Sequence, residues 1–345
     1  MKQEIIGKSK YCNNKYWPPV ETMANLPLEM EELMLENYDN IIPKLKSITN
    51  NKAEYDKAIM DILGVIYSLF FNYKDSPNCL IEPKNIHNVF KLKAILEDMM
   101  VNEIISPTIP DDESIYESVD SCCEYLNDLA NNNSGLNHSF FDYTKDKMDK
   151  PQWEEFLLME TIRNEVVDDE VAMMIPGLQH SMKQVMSSNL WDECGNGNID
   201  KFHTTWLRRL LKSLNKEQEI IRYRLNKPWF VSLTSNSLNS FLTSIGKVYQ
   251  AYGHFLITEG WVAPHFSKML VGMDRVGLTS NDVQIYFTAH KTIDPFHTAE
   301  MLSGIKQMQP KLSSQQLRGI VEGACQAISA GSLMYDKLNK HFNKN

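Results

Sequence analysis

The chain of 345 residues has no pair of cysteines at CxxC spacing. Its six cysteines, Cys12, Cys79, Cys122, Cys123, Cys194 and Cys325, are scattered along a chain long enough to bury a core without covalent staples. That excludes a zinc ribbon and a disulfide scaffold, and it points to a reduced, cytoplasmic setting. A basic surplus is also missing: 35 Lys and Arg face 44 Asp and Glu, for a formal net charge of −9. Such a chain is a poor binder of phosphate backbones, so nucleic acid is not expected as a partner. The local cluster Arg208, Arg209 and Lys212 reads as a solvated helix face. Long apolar runs are absent. The longest, ILGVIYSLFF from Ile62 to Phe71, is about half the ~20 residues that span a bilayer. The opening MKQEIIGKSK has no apolar segment of the kind a signal peptide needs. No membrane association is expected.

Period-two stretches, repeats of fixed length and low-complexity tracts are lacking as well, which leaves no signal for strands or a solenoid. What remains is helical. Apolar residues at three-and-four spacing predict helices over Leu28–Leu45, Lys52–Tyr73, Ile86–Val101 and Glu113–Leu129. The first 25 or so residues, with the prolines of YWPPVE, read as extended. The polar, turn-rich NNNSGLNHS, Asn131 to Ser139, marks the domain boundary. Beyond it, helices are predicted over Trp153–Val167, Asp169–Leu190, Asp200–Leu214, Leu238–Thr258, Pro264–Val276, Ser280–His290 running on to about Leu302, and Ser313–Phe342. The fold class is therefore all-α. Residues 1–145 form an N-terminal helical extension whose apolar stripes suit dimerisation, and residues 146–345 form the main domain.

Two stretches carry chemistry. In HKTIDPFH, His290, Asp294 and His297 stand at positions i, i+4 and i+7, which fall within about 60° of one another on a helix. Two imidazoles and a carboxylate on one face form a metal-binding edge, although Pro295 removes one helix hydrogen bond and bends such a helix. In WDECGNGNIDKFH, Glu193 and His203 are ten residues apart and would differ by about 80° on a straight helix. Gly195 and Gly197 argue against a straight helix. One helix ending near Glu193 and another starting at Asn198 or Asp200 would let both side chains aim inward. Asp200 and His203 form a rival pair, Asp-x2-His, matching Asp294 and His297 and the paired carboxylate-x2-His pattern of ferritin-like di-iron proteins. Spacing does not choose between Glu193 and Asp200. Glu160, within FLLMETIRNE, and Glu259, in LITEGW, are acids in apolar surroundings, where a charge needs a partner. Glu165, Asp168 and Asp169 read as a solvated face.

Taken in order, FLLME, the DE-x-G-x-G stretch ending in His203, LITEGW and His-x3-Asp-x2-His resemble the haem-oxygenase-like di-iron oxidase and oxygenase family over residues 150 to 305. The resemblance implies a haem-oxygenase-like bundle of about seven helices preceded by an extension. It implies metal ligands at Glu160, Glu193, His203, His290, Asp294 and His297, with Glu259 as a further ligand that moves during turnover. One iron would be held by Glu160, His203 and His297, the other by Glu193, His290 and Asp294. The donor set, three histidines and three carboxylates, suits iron or manganese rather than a structural zinc site.

The activity so implied is that of a biosynthetic oxidoreductase with two Fe²⁺ per chain and O₂ as co-substrate. It would act through a peroxo-level di-iron(III) intermediate on a small amino-acid-derived substrate, by N-oxygenation. Oxidative C–C cleavage of an amino or fatty acid is the alternative with the same centre. The resemblance leaves room for an external electron donor, and a homodimer is expected. Two readings from other classes are a metal-free scaffold using Cys194 or Cys325 as nucleophile and a helical interaction protein. Of the remaining histidines, His180, His254 and His265 read as ordinary core or surface residues.

Overall fold

The computed structural model describes residues 28–71 and 86–343, except for the side chains of Leu28, Glu31, Leu225, Ile293, Asp294 and Pro295. Cys12, Cys79, the YWPPVE segment and Tyr73 therefore lie outside the described residues. Among the described residues there are helices and turns and no strand. No helix among them is long and apolar enough to cross a membrane.

The chain divides into two compact units, one up to Ile104 and one from Ile105 onward. The first contains α1 (Leu28–Leu35), α2 (Ile41–Ile48), α3 (Lys52–Phe70) and α4 (Ile86–Met99). The Asn51 side chain caps α3 by accepting from the Glu54 N–H, as a short polar residue before an apolar-periodic run should. Ile59, Leu63 and Ile66 on one face of α3 are buried, as are Leu92 and Leu96 of α4 and Leu33 of α1. The buried Tyr67 hydroxyl donates to Glu97 at 2.8 Å, which satisfies the one polar atom that this aromatic brings inside.

The second unit holds α5 (Val119–Asn131), α6 (Phe140–Asp146), α7 (Lys150–Asn164), α8 (Val167–Met174), α9 (His180–Glu193), α10 (His203–Ser213), α11 (Glu219–Asn226), α12 (Leu233–Leu242), α13 (Val248–Arg275), α14 (Asn281–Lys306) and α15 (Ser314–Phe342). Helix α13 is its axis, with α14 and α15 packed along it and α5, α6 and α12 around them. Tyr252, Phe255, Leu256, Trp261, Phe266 and Met269 bury its several faces. Each side chain of that size contributes roughly 1.5–3 kcal/mol on burial. The α13–α15 contact is backbone to backbone. A Cβ at Gly253 would run into the carbonyl of Ile320, and one at Gly323 into the carbonyl of Gln250. Only glycine permits that approach.

Several predicted boundaries move. The prediction over Leu238–Thr258 is two helices, parted between Leu242 and Val248 where Gly246 takes φ +76°. The predicted break before Pro264 does not occur. Helix α13 runs through Pro264 to Arg275, because one lost N–H is outweighed by burial on both sides of it. Asp169–Leu190 is split at Ile175–Gly177, where Pro176 withdraws a donor and Gly177 follows. Leu28–Leu45 is likewise two short helices. Helices α6 and α11 are too short for periodicity to reveal. The turn-rich Asn131–Ser139 stretch is no linker. The Trp261 indole N–H donates to Asn133 Oδ1 at 3.0 Å, and His265 Nε2–H donates to the Leu136 carbonyl at 3.1 Å. Residues 105–145, grouped from sequence with the extension, thus pack inside the second unit.

Candidate metal centre

Five helices of the second unit bring the predicted residues inward. On α7 the apolar stripe Trp153, Phe156 and Leu157 continues at helical spacing into Glu160, so a carboxylate occupies a core position. On α13 the stripe Tyr252, Phe255 and Leu256 leads in the same way to Glu259. On α14 Val283, Tyr286 and Phe287 lead to His290. Helix α9 ends at Glu193 and α10 begins at His203. The connection between them turns through left-handed backbone at Gly195 (φ +55°), Asn196 (φ +55°) and Gly197 (φ +81°). A Cβ on Gly195 would collide with the backbone of Lys201, so the turn needs glycine there for space as well as for φ. The second helix starts at His203 itself, later than the predicted Asn198 or Asp200.

This turn places Glu193 Oε2 and His203 Nδ1 2.7 Å apart, both fully buried. Neither atom is aligned with the other or with any other group as a hydrogen bond. A carboxylate and an imidazole that converge so closely inside the core can serve as ligands of a common cation. His290 completes the group: ligating atoms of Glu193, His203 and His290 all lie within 4.8 Å of one another. His290 Nδ1 is 2.7 Å from the Tyr286 carbonyl, which can only accept, so Nδ1 carries the proton and Nε2 keeps its lone pair. Burial first, then the neighbouring His203, brings the His290 imidazolium down to about 3, so the ring is neutral at physiological pH. Burial would raise the Glu193 carboxyl, but His203, His290 and His297 outweigh it and hold it below its ordinary value. An ionised carboxylate beside the neutral His290 ring is the protonation state a metal ligand requires.

His297 lies between two carboxylates. Its Nδ1 is 3.1 Å from Glu259 Oε2 and its Nε2 is 3.2 Å from Asp192 Oδ2. Burial lowers its affinity for a proton, but Glu259, with Asp192 and Glu193, reverses that and raises it to about 9. Burial pushes the Glu259 carboxyl up, with His297 opposing. Glu160 is ion-paired with Arg163 one turn along α7. The side chain of Asp294 lies outside the described residues, as does that of Pro295; α14 is continuous through both positions.

Glu193, His203 and His290 are drawn from both of the irons implied by resemblance, and Glu160, Glu259 and His297 carry protein partners instead. Asp200 is excluded from the group: it is exposed and reaches only Arg209, at 3.5 Å. Asp192 and Arg163 were not singled out from sequence. The signals were present, an acid beside Glu193 and a base three residues after Glu160, but neither position stands on an apolar stripe. Glu165, read as solvated, is paired with Arg224 at 2.6 Å.

Glu160, Glu193, Glu259 and His290 also line a cavity of about 140 Å³. Its other walls are aromatic, including Phe141, Trp261, Phe266 and Tyr335, and His254 and His265 face it too. No cysteine lines it. Burial raises the thiol of Cys194 and pushes that of Cys325 up to about 11, which suppresses the nucleophilic thiolate in both.

A family model described as iron-containing redox enzyme matches residues 154–332, just over half of the chain. No curated protein matches the chain.

Proposed function

The chain belongs to the iron-containing redox enzyme family, and from that premise we propose a non-haem di-iron oxidase or oxygenase that acts on a small amine. The observation that carries the metal reading is the convergence of buried ligating atoms of Glu193, His203 and His290 within 4.8 Å of one another. Mixed imidazole and carboxylate donors suit iron. These three would hold iron, and Glu160, Glu259, Asp294 and His297 are the side chains proposed to complete a second ion's shell. When bound, two ferrous ions would supply the electrons and coordination positions for O₂ activation.

The protein's own share follows from its geometry. The Tyr286 carbonyl fixes the His290 tautomer and presents Nε2. Arg163 holds Glu160 in place. His297, flanked by Glu259 and Asp192, holds a proton between the two carboxylates and would have to give it up to serve as a metal ligand. Aromatic side chains make up much of the cavity wall and give a substrate's apolar body a surface to pack on. Glu170, a cavity carboxyl outside the proposed ligand set, offers a cationic substrate a partner, and this supports an amine over a fatty acid.

The test is to expose the iron-loaded protein to O₂ with a panel of small amines. The proposal expects O₂ uptake stimulated by an amine and a product carrying a new N–O bond. A chain-shortened product would select C–C cleavage by the same centre. Iron-loaded protein that consumes no O₂ with or without any amine would refute the oxygenase reading.

A further inference from the structure

Of the four cavity carboxylates, three have a charged or ligating neighbour. Glu160 has Arg163, Glu259 has His297, and Glu193 has His203. Glu170 has none among the described residues. It belongs to the first turn of α8, is 5% exposed, and lines the same cavity. The Asn239 side chain donates to its carboxyl, but its Oε1 meets no hydrogen-bond partner. Burial dominates its acidity and pushes it up to about 8, with Asn239 opposing and the adjacent Asp169 and Asp168 adding to the rise. A buried carboxyl with one neutral donor and one idle oxygen is unfavourable as it stands. A cation entering the cavity would relieve it. Beside it the cavity wall is apolar at Leu238, Phe255, Val262 and Phe266, with hydroxyls at Thr234 and Ser235.

We propose that Glu170 is the specificity residue that anchors a cationic nitrogen of the substrate, an ammonium or guanidinium group on a compact apolar body. This rests on the reading of the cavity as the substrate site of an iron enzyme. The anchored nitrogen sits on Glu170 Oε1, and the apolar body lies along the aromatic wall that leads to Glu193 and His290. The arrangement discriminates by charge, because an ammonium gives the carboxyl an ion pair as well as a hydrogen bond, whereas a neutral isostere gives the idle oxygen a hydrogen bond alone.

Hexylamine and its uncharged isostere 1-hexanol are the probes. Binding of each is measured by calorimetry on the anaerobic, Fe²⁺-treated full chain, with iron stoichiometry determined on the same samples. Wild type should bind hexylamine at least tenfold tighter than hexanol. Glu170→Gln should abolish that preference, leaving hexanol affinity and iron content unchanged. Equal affinities in wild type, or a preference that survives in Glu170→Gln, would overturn the proposal. The wild-type comparison needs no variant, and Glu170→Asp, which keeps the charge, should retain a weaker preference. Iron bound without amine preference sinks the role of Glu170 and leaves the iron reading standing. Amine preference in a chain that binds no iron sinks the iron reading and leaves the cation site.

Discussion

His254 and His265 are held as neutral bases inside the second unit, each with an imidazolium lowered to about 3, chiefly by burial. His254 shares a hydrogen bond with Ser237, and His265 stacks on Phe141 at 3.5 Å between centroids. Their ordinary value is 6.5. The unfolded chain therefore binds more protons than the folded one between pH 6.5 and 3. Stability contributed by the neutral rings is complete above pH 6.5 and is lost as pH falls towards 3, by about 1.4 kcal/mol per pH unit for each ring. In His265→Phe the loss of stability between pH 7 and pH 5 should be shallower than in wild type, read from urea unfolding at each pH. Equal slopes would mean that His265 titrates alike in both states. At this scale the sequence was partly legible. Glu160 and Glu259 stand out because a charge interrupts an apolar stripe. Asp192 sits beside the α9 stripe rather than on it, and Glu170, though in register with Val171 and Met174, belongs to a helix of eight residues, too short for periodicity to reveal.

Among elements, the α9–α10 turn decides the site. Helical periodicity separates Glu193 from His203 by about 80°, and the left-handed run Gly195–Asn196–Gly197 cancels that separation. The sequence announces a break through its glycines, but the direction in which the chain re-emerges is set by tight packing of Gly195 on Lys201. Gly195→Ala forces a Cβ into that backbone at positive φ, and left-handed backbone alone costs about 1–2 kcal/mol. The variant should show a lowered Tm and a weakened affinity for Fe²⁺, because the two ligands part; an unaltered affinity would detach the turn from the site. The α13–α15 crossing is the second such element. Gly253→Ala should lower stability by about 3 kcal/mol or more, since overpacking here meets a carbonyl instead of a side chain that can move. Thermal unfolding measures it. The role of Gly253 could not be assigned from sequence, because the clash lies with Ile320, far along the chain.

For the whole molecule, every candidate ligand falls in the unit that starts at Ile105, and the family match lies wholly within it. No described residue of the first unit lines the cavity. A chain beginning at Ile105 is expected to bind Fe²⁺ with the stoichiometry of the full chain, measured by metal analysis after desalting; loss of binding in a folded fragment would give the first unit a direct part in the site. The all-α class was legible because no segment alternates and most segments repeat at helical spacing. The place where the units divide was not, since Asn131–Ser139 looks like a linker until Trp261 and His265 are seen to bind it. The central claim is that Glu193, His203 and His290 hold iron. Anaerobic Fe²⁺ titration of the full-length protein beside His290→Ala tests it most directly. The account predicts about two irons per chain in the wild type, through the two-ion clamp such ligand sets form, and a clear reduction in the variant. Iron binding that His290→Ala leaves unchanged, or none in either protein, would contradict it.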